Sequence, residues 1–210
     1  MIIKDKIIEY IINKYEPHTI IVYGSYADGS NGINSDFDAL VITDKQTIFH
    51  DQNEVDGILL DVFIYNTSHF KNEINYEEYV QIHDGNIVFD KYGLGKQLQE
   101  KVCEFIENMS KKSKEEKERQ VKWCEKMLLR VERNDSEGYF RWHWLLVDSL
   151  EIYFTICDEY YYGPKKSIAK IKKENPKGFK YYNNALTKFN YESLKQWINY
   201  LRYLLNKCDE

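Results

Sequence analysis

The sequence predicts an α+β fold in which strands are confined to the first half of the chain and helices alone fill the second half. Three runs rich in β-branched residues, 20–22, 36–42 and 55–65, predict strands, because such side chains pack well on a pleated surface. From residue 96 onward no run of this kind appears, and apolar residues recur at helical spacing. We therefore expect two domains, residues 1–95 and residues 96–210.

The other elements of the first domain follow from its periodicity and its turn residues. Isoleucines at helical spacing near the N-terminus predict an amphipathic helix that covers the sheet. In order, the expected elements are a helix at 4–14, a strand at 20–22, a helical turn and loop within 26–32, a strand at 36–42, a polar connection with a short helix at 43–54, a strand at 55–65, a helix at 70–80 and a strand at 85–90. The sheet would then have four or five strands.

The second domain is predicted to be an α-helical bundle. Its helix at 113–132 opens with Ser113 followed by acidic residues, which is the arrangement that helix N-termini prefer. The pair Asn175-Pro176 predicts a helix end, because proline cannot continue the hydrogen-bond pattern. The expected helices are 98–106, 113–132, 139–160, 167–173 and 191–205.

Two aspartates of the second strand indicate a metal site. Asp36 and Asp38 are two residues apart, so in an extended chain their side chains project from the same face. Carboxylates held this close repel each other unless a cation lies between them. Mg²⁺, bound by one or two carboxylates together with substrate phosphates, fits this pattern best.

Asp61 is the third candidate ligand. It interrupts an apolar run that predicts a buried strand, where an ionised carboxylate is costly unless it is paired or binds a metal. Taken alone, Asp61 is explained by an ion pair with a lysine. With Asp36 and Asp38 upstream, the metal is the favoured explanation.

A Gly-Ser turn follows the first strand. Gly24 allows the backbone to approach a ligand closely, and Ser25 with the following amides can donate to phosphate oxygens. A Gly-Ser pair alone is weak support for a phosphate site, because turns use it widely. Ser35, just ahead of Asp36, either orients the phosphate or caps the turn.

These residues together resemble the signature of the DNA polymerase β-like nucleotidyltransferase superfamily, in particular its aminoglycoside and lincosamide nucleotidyltransferases. The resemblance implies a first domain with a short mixed sheet flanked by helices, in which Gly24 and Ser25 contact the phosphates of ATP or another nucleoside triphosphate. It also implies that Asp36, Asp38 and Asp61 hold Mg²⁺, as two ions. Many relatives carry arginine where this chain has Asp28, so no phosphate contact is transferred to that position.

The helix at 139–160 carries a polar stripe that either faces water or lines a cleft. Steps of three and four residues place these side chains on one side of the helix: Arg141, Trp144, Asp148, Glu151 and Thr155. In antibiotic nucleotidyltransferases a helical C-terminal domain supplies the carboxylate that deprotonates the acceptor hydroxyl. The resemblance thus makes Asp148 and Glu151 candidates for this base, with Glu132 and Glu137 behind them.

Lys165 is a further candidate for the nucleotide site. It follows Gly163-Pro164 at the start of a predicted helix, and similar lysines follow the equivalent helix in relatives. A lysine there would suit a triphosphate, and the alternative is an exposed lysine at a turn.

The expected function is transfer of a nucleoside monophosphate, AMP from ATP, to a hydroxyl of a small molecule. An aminoglycoside-like antibiotic is favoured as acceptor because a polycation suits an acidic cleft. Two alternatives stay open: a protein-AMPylating enzyme of the minimal antitoxin type, and a non-catalytic nucleotide-binding module. The net charge of −5 and the pI of about 5.7 argue against a protein that binds mainly to nucleic acid.

Composition also bears on location. The four cysteines, Cys103, Cys124, Cys157 and Cys208, show no metal-ligand spacing and are expected to be reduced thiols. The N-terminus does not resemble a signal peptide, and no apolar stretch has the length that a bilayer requires. We expect a cytoplasmic protein with no membrane association, present as a monomer or a homodimer.

Overall fold

The computed structural model describes residues 3–45 and 48–207 and divides the chain into two compact units, Met1–Asn108 and Met109–Glu210. The predicted α+β fold is confirmed, because every strand of the described residues lies in the first unit and the second unit is helical. Cys208 lies outside the described residues, as do residues 46 and 47 of the predicted 43–54 connection. Among the described helices, none combines the length and the apolar character needed to cross a bilayer.

The first unit is built around one sheet with helices on both faces. Its elements are α1 (Ile3–Tyr15), β1 (Thr19–Val22), α2 (Ser25–Asp28), β2 (Phe37–Thr43), β3 (Phe49–Asp51), β4 (Glu54–Val55), β5 (Ile58–Asn66), two 3₁₀ helices (Thr67–Lys71 and Tyr76–Ile82), β6 (Asn86–Asp90) and α3 (Leu94–Glu107). The strand order is β3-β5-β2-β1-β6, and β4 pairs with β5. The sheet is mixed, since β2 and β5 run parallel and the other pairs are antiparallel.

Alternate residues of the central strands enter two different cores. Ile20 and Val22 pack on the face covered by α1, whereas Ile21 packs on the opposite face with residues of α3. The same alternation places Leu40 of β2 with Ile21. Because the side-chain period of a strand is two, burial of both faces determines the register, and with it the face to which each aspartate belongs.

Two predicted helices of the first unit are different elements in the structure. The 43–54 connection contains the strand β3, which pairs with β5, rather than a short helix. The region 70–80 contains two 3₁₀ segments, and the side chain of Asn75 accepts a hydrogen bond from the Glu77 amide at the start of the second. Asparagine side chains compete with the backbone in this way, so they interrupt helices.

The helix α3 packs on the first unit, although the predicted domain boundary placed nearly all of it in the second. The carboxylate of Asp90 in β6 accepts hydrogen bonds from the amides of Gly95 (3.1 Å) and Lys96 (3.0 Å). Leu98 and Val102 are buried against the sheet. The compact units therefore divide after Asn108.

His18 is buried immediately ahead of β1. Its side chain is 5% exposed and lies within hydrogen-bond distance of the hydroxyls of Thr19 (3.0 Å) and Thr67 (2.8 Å). A buried imidazole needs such partners. Thr67 is 49 residues away in the chain, so the residues next to His18 give no sign of this contact.

The second unit is a helical bundle with an aromatic core. It comprises α4 (Lys114–Val131), α5 (Ser136–Ile156), α6 (Pro164–Glu174), α7 (Pro176–Lys188) and α8 (Tyr191–Lys207). No helix was predicted from the sequence at the position of α7. Asn175-Pro176 does end α6, but the side chain of Asn175 also accepts from the Gly178 amide (2.9 Å) and so begins α7.

Candidate active site

Asp38 and Asp61 are brought together by the two parallel strands of the sheet. The register pairs Asp38 of β2 directly with Asp61 of β5. Asp36 lies just ahead of β2, two residues from Asp38. Because residues two apart share a face, the sheet gathers all three carboxylates on one side.

The three carboxylates form a cluster suited to a divalent cation. One ligand oxygen from each of Asp36, Asp38 and Asp61 lies within 4.8 Å of the others. Carboxylate oxygens are the protein ligands that Mg²⁺ prefers, and a cation would relieve the repulsion among them. The residues present therefore fit this ion.

Asp61 is less buried than the sequence suggested. Its side chain is 36% exposed, since β5 buries Leu60, Val62 and Ile64 on one face and leaves Asp61 on the more open one. The residues directly before and after Asp61 in β5 are apolar. The sequence therefore does not show that one face of this strand is more exposed than the other. The alternative for Asp61 was an ion pair with a lysine. In the structure its partner is His50.

Gly24 makes room for the carboxylate of Asp38. Its backbone has φ +63° and ψ −149°, and a Cβ built on it would lie 2.3 Å from Asp38 Oδ2. This conformation is essentially restricted to glycine. The amide of Tyr23 donates to the carbonyl of Asp38 at 3.1 Å, which ties the turn to β2.

Ser25 and Ser35 lie on either side of the loop that leads to Asp36. Ser25 is the first residue of the four-residue helix α2 and is 5% exposed. The hydroxyl of Ser35 accepts a hydrogen bond from the Gly32 amide (2.9 Å), so it closes the turn ahead of Asp36. Ser35 was expected either to orient the phosphate or to cap the turn. This hydrogen bond caps the turn.

Tyr23 is a neighbour of the carboxylates that no sequence motif indicated. Its side chain is 7% exposed, and burial raises the pKa of its hydroxyl well above the ordinary value, with the charges of Asp61 and Asp38 adding to the effect. A hydrogen bond with Gln81 acts in the opposite direction. Tyr23 therefore stays a neutral phenol beside the cluster.

His50 is the second residue that sequence reasoning missed. Its Nε2 lies 2.5 Å from Asp61 Oδ1, and its ring stacks on Phe63. The signal was weak, because β3 has only three residues and the polar segment around it resembles a connection.

In the second unit, Asp148 and Glu151 line one cavity of about 470 Å³. Its wall includes the indole of Trp123, and Trp123 packs edge-on against Trp144 with ring centroids 5.6 Å apart. The side-chain oxygen of Gln120, another lining residue, is buried and has no hydrogen-bond partner among the described residues. The polar stripe of α5 thus borders a concave surface of a size typical for small-molecule sites.

The other candidates of the second unit do not line this cavity. Glu137 forms ion pairs with Arg133 (2.8 Å) and with Arg141. Glu132 ends α4 and interacts with Tyr191. Lys165 is exposed in the first turn of α6.

The match to a protein family agrees with this geometry. Residues 5–92 match the family described as Polymerase beta, Nucleotidyltransferase. Among solved structures, a nucleotidyltransferase-like protein from Exiguobacterium sibiricum 255-15 is similar with 15% sequence identity and a TM-score of 0.38. The similarity covers 97% of this chain and 73% of that one. No curated protein matches the chain.

Proposed function

We propose that the protein, whose residues 5–92 match the Polymerase beta, Nucleotidyltransferase family, transfers AMP from ATP to a hydroxyl of a small acceptor in a Mg²⁺-dependent reaction that releases pyrophosphate. The convergence of Asp36, Asp38 and Asp61 is the observation that carries this proposal. Asp38 and Asp61 lie on the paired strands β2 and β5, and Asp36 lies just ahead of β2. A domain that had lost its chemistry would have no physical reason to keep three mutually repelling charges together.

Each part of the domain has a task in this reaction. Asp36, Asp38 and Asp61 would hold Mg²⁺, as two ions. When bound there, Mg²⁺ would neutralise phosphate charge and favour deprotonation of the attacking hydroxyl. Gly24 leaves space for Asp38, and Ser25 with nearby amides orients the triphosphate. Phosphoryl transfer needs chiefly such positioning and charge stabilisation, because the protein contributes little covalent chemistry.

The acceptor, in this proposal, is bound with the help of the cavity on α4 and α5. Asp148 or Glu151 would take the proton of the acceptor hydroxyl, as a general base of the second unit. The wall of Trp123 suits a ring. The lining has three carboxylates, Glu116, Asp148 and Glu151, against two cations, Lys112 and Arg119, and this excess of negative charge suits amino groups. An aminoglycoside-like antibiotic has both features, which would make the protein a resistance enzyme. Lys165 remains a candidate contact of the triphosphate.

Two other functions are alternatives that the test below distinguishes from this one. An antitoxin-type enzyme would transfer AMP to a hydroxyl of a partner protein. A nucleotide-binding module would bind ATP without turnover. The cavity in the second unit favours a small acceptor over both, because neither alternative needs a pocket of this size.

The test is incubation of the full-length protein with each α-labelled nucleoside triphosphate, Mg²⁺ and one of three acceptor sets: aminoglycosides, lincosamides, or an extract of cellular proteins. Label on an aminoglycoside or lincosamide supports the proposal. Label on a protein supports the antitoxin-type alternative. Nucleotide binding by calorimetry without any label transfer supports the non-catalytic module. The variant Asp61→Asn is the matched negative control, because it removes one charge at nearly constant volume.

A further inference from the structure

We propose that His50 is a positioning residue that fixes the orientation of Asp61 and thereby sets the affinity of the carboxylate cluster for a divalent cation. The inference rests on the proposed function, since it assigns a task at the same metal site. It concerns a residue that neither the aspartate motif nor the Gly-Ser turn includes.

The contact itself is direct. His50 Nε2 lies 2.5 Å from Asp61 Oδ1, and the two side chains are only 33% and 36% exposed. An ionised carboxylate only accepts, so Nε2 carries the hydrogen of this bond. A hydrogen bond to a charged group is among the stronger ones. It engages one oxygen of Asp61 and limits rotation of the carboxylate, while the second oxygen keeps its lone pairs for a cation.

The imidazole is held in place by Phe63. The two rings are stacked with centroids 4.1 Å apart and an angle of 5° between their planes. The register of β3 on β5 pairs His50 directly with Phe63, so the stacking is a contact between opposite residues of neighbouring strands. His50, Phe63 and Asp61 therefore belong to one face of the sheet.

The strand that carries His50 is anchored from the other face. Asp51, the next residue, is fully buried, and its carboxylate accepts hydrogen bonds from the Tyr15 hydroxyl, from Lys14 Nζ (3.1 Å) and from the Asn53 amide (3.0 Å). Two of these partners belong to α1. A three-residue edge strand is held weakly by its ladder alone, so this network fixes the backbone from which His50 extends.

These contacts have a consequence for metal binding. Three carboxylates that share one site repel one another, and a carboxylate free to rotate would turn away from the other two. The hydrogen bond to His50 restrains the Asp61 side chain before a cation binds. The side chain therefore loses less conformational entropy when the cation binds. Groups that hydrogen-bond to metal ligands act in this way, and their loss weakens metal affinity.

The test measures binding of Mn²⁺ alone to the full-length protein, by titration calorimetry and by the electron paramagnetic resonance signal of free Mn²⁺. We expect His50→Ala to raise the dissociation constant by about 10-fold to 100-fold. His50→Gln can place an N–H group near the position of Nε2 and should recover most of the affinity. His50→Phe keeps a ring on Phe63 but has no donor, and it should behave like His50→Ala. His143→Ala, which removes an exposed histidine of α5, is the control.

The outcomes separate this inference from the proposed function. If Asp61→Asn weakens Mn²⁺ binding and His50→Ala does not, the role of His50 is overturned and the metal site stands. If neither variant changes the affinity, the metal site itself is wrong, and the proposed function falls with it. If His50→Phe binds Mn²⁺ as the wild type does, the stacked ring rather than the hydrogen bond matters, which also overturns the inference.

Discussion

Asp38 and Asp61 lie directly opposite each other on the neighbouring parallel strands β2 and β5. Both strands are buried on the α1 face, so neither can shift by one residue without exposing a row of apolar side chains. The sheet therefore keeps the two negative charges adjacent although they repel each other. Loss of either charge should affect catalysis and stability in opposite directions.

The first prediction concerns Asp38→Asn and Asp61→Asn. Each should reduce the transfer rate on the order of 10³-fold, because a charge that organises the transition state is lost. In metal-free buffer each should leave the melting temperature unchanged or raise it, since the repulsion within the cluster falls. Label transfer and thermal unfolding on the same samples check this. Full turnover in Asp61→Asn would remove that residue from the mechanism.

The second prediction compares the two glycines that flank α2. In Gly24→Ala the new methyl group would meet the carboxylate of Asp38 at 2.3 Å, and the backbone would be strained by about 1–3 kcal/mol. We expect loss of Mn²⁺ affinity and of transfer. Gly29→Ala is the matched control, because Gly29 also has positive φ (+77°) but no atom within 4 Å of the added Cβ.

Gly29→Ala should therefore lose some stability and keep its metal affinity. If the two alanine variants bind Mn²⁺ equally well, close approach of the turn to Asp38 is not what selects glycine at position 24. Thermal unfolding followed by circular dichroism measures the stability of both variants, and Mn²⁺ titration measures their metal affinity.

The third prediction concerns the base. Of Asp148→Asn and Glu151→Gln, the variant that removes the general base should reduce kcat about 10²-fold to 10⁴-fold with nucleotide binding unchanged. Glu137→Gln is the control, because Glu137 is held in ion pairs with Arg133 and Arg141. Steady-state kinetics with an accepted hydroxyl substrate, together with calorimetry for ATP, make the comparison. Equal kcat in both cavity variants and the wild type would place the base elsewhere.

The fourth prediction concerns acid stability and Asp51. Burial of this carboxylate acts to raise its pKa, but the hydrogen bonds from Tyr15, Asn53 and Lys14 outweigh burial and hold the pKa below its ordinary value. The folded state thus binds the proton less readily than the unfolded state. The stabilisation is present above the unfolded pKa of about 3.9 and is lost as the pH falls through the folded value.

Asp51→Asn should accordingly be destabilised by about 1–3 kcal/mol at neutral pH. The difference in unfolding free energy from the wild type should shrink in acid, where the wild type also loses its charge. Urea denaturation near pH 7 and near pH 3 measures both values. A difference that stays constant between these pH values would show that the charge of Asp51 does not contribute.

Several elements were predictable because their causes are local. The strands β1, β2 and β5 follow from runs of β-branched residues, and Ser113 with Glu116 forms the expected cap of α4. The connection 43–54 was predicted as a short helix and contains β3, because a three-residue strand has too little periodicity to be recognised. The helix α7 was missed because Asn175-Pro176, which stops one helix, also starts the next.

The sequence by itself determined the α+β division and the three aspartates of the cluster, because strand periodicity and the cost of a charge in an apolar run act over a few neighbouring residues. Only the tertiary structure decided which groups surround those aspartates. The bond of His50 to Asp61, the burial of Tyr23 and the cavity beside Asp148 and Glu151 depend on strand order and helix packing. Such contacts join residues whose separation along the chain carries no periodic signal, so they exist only once the chain has folded.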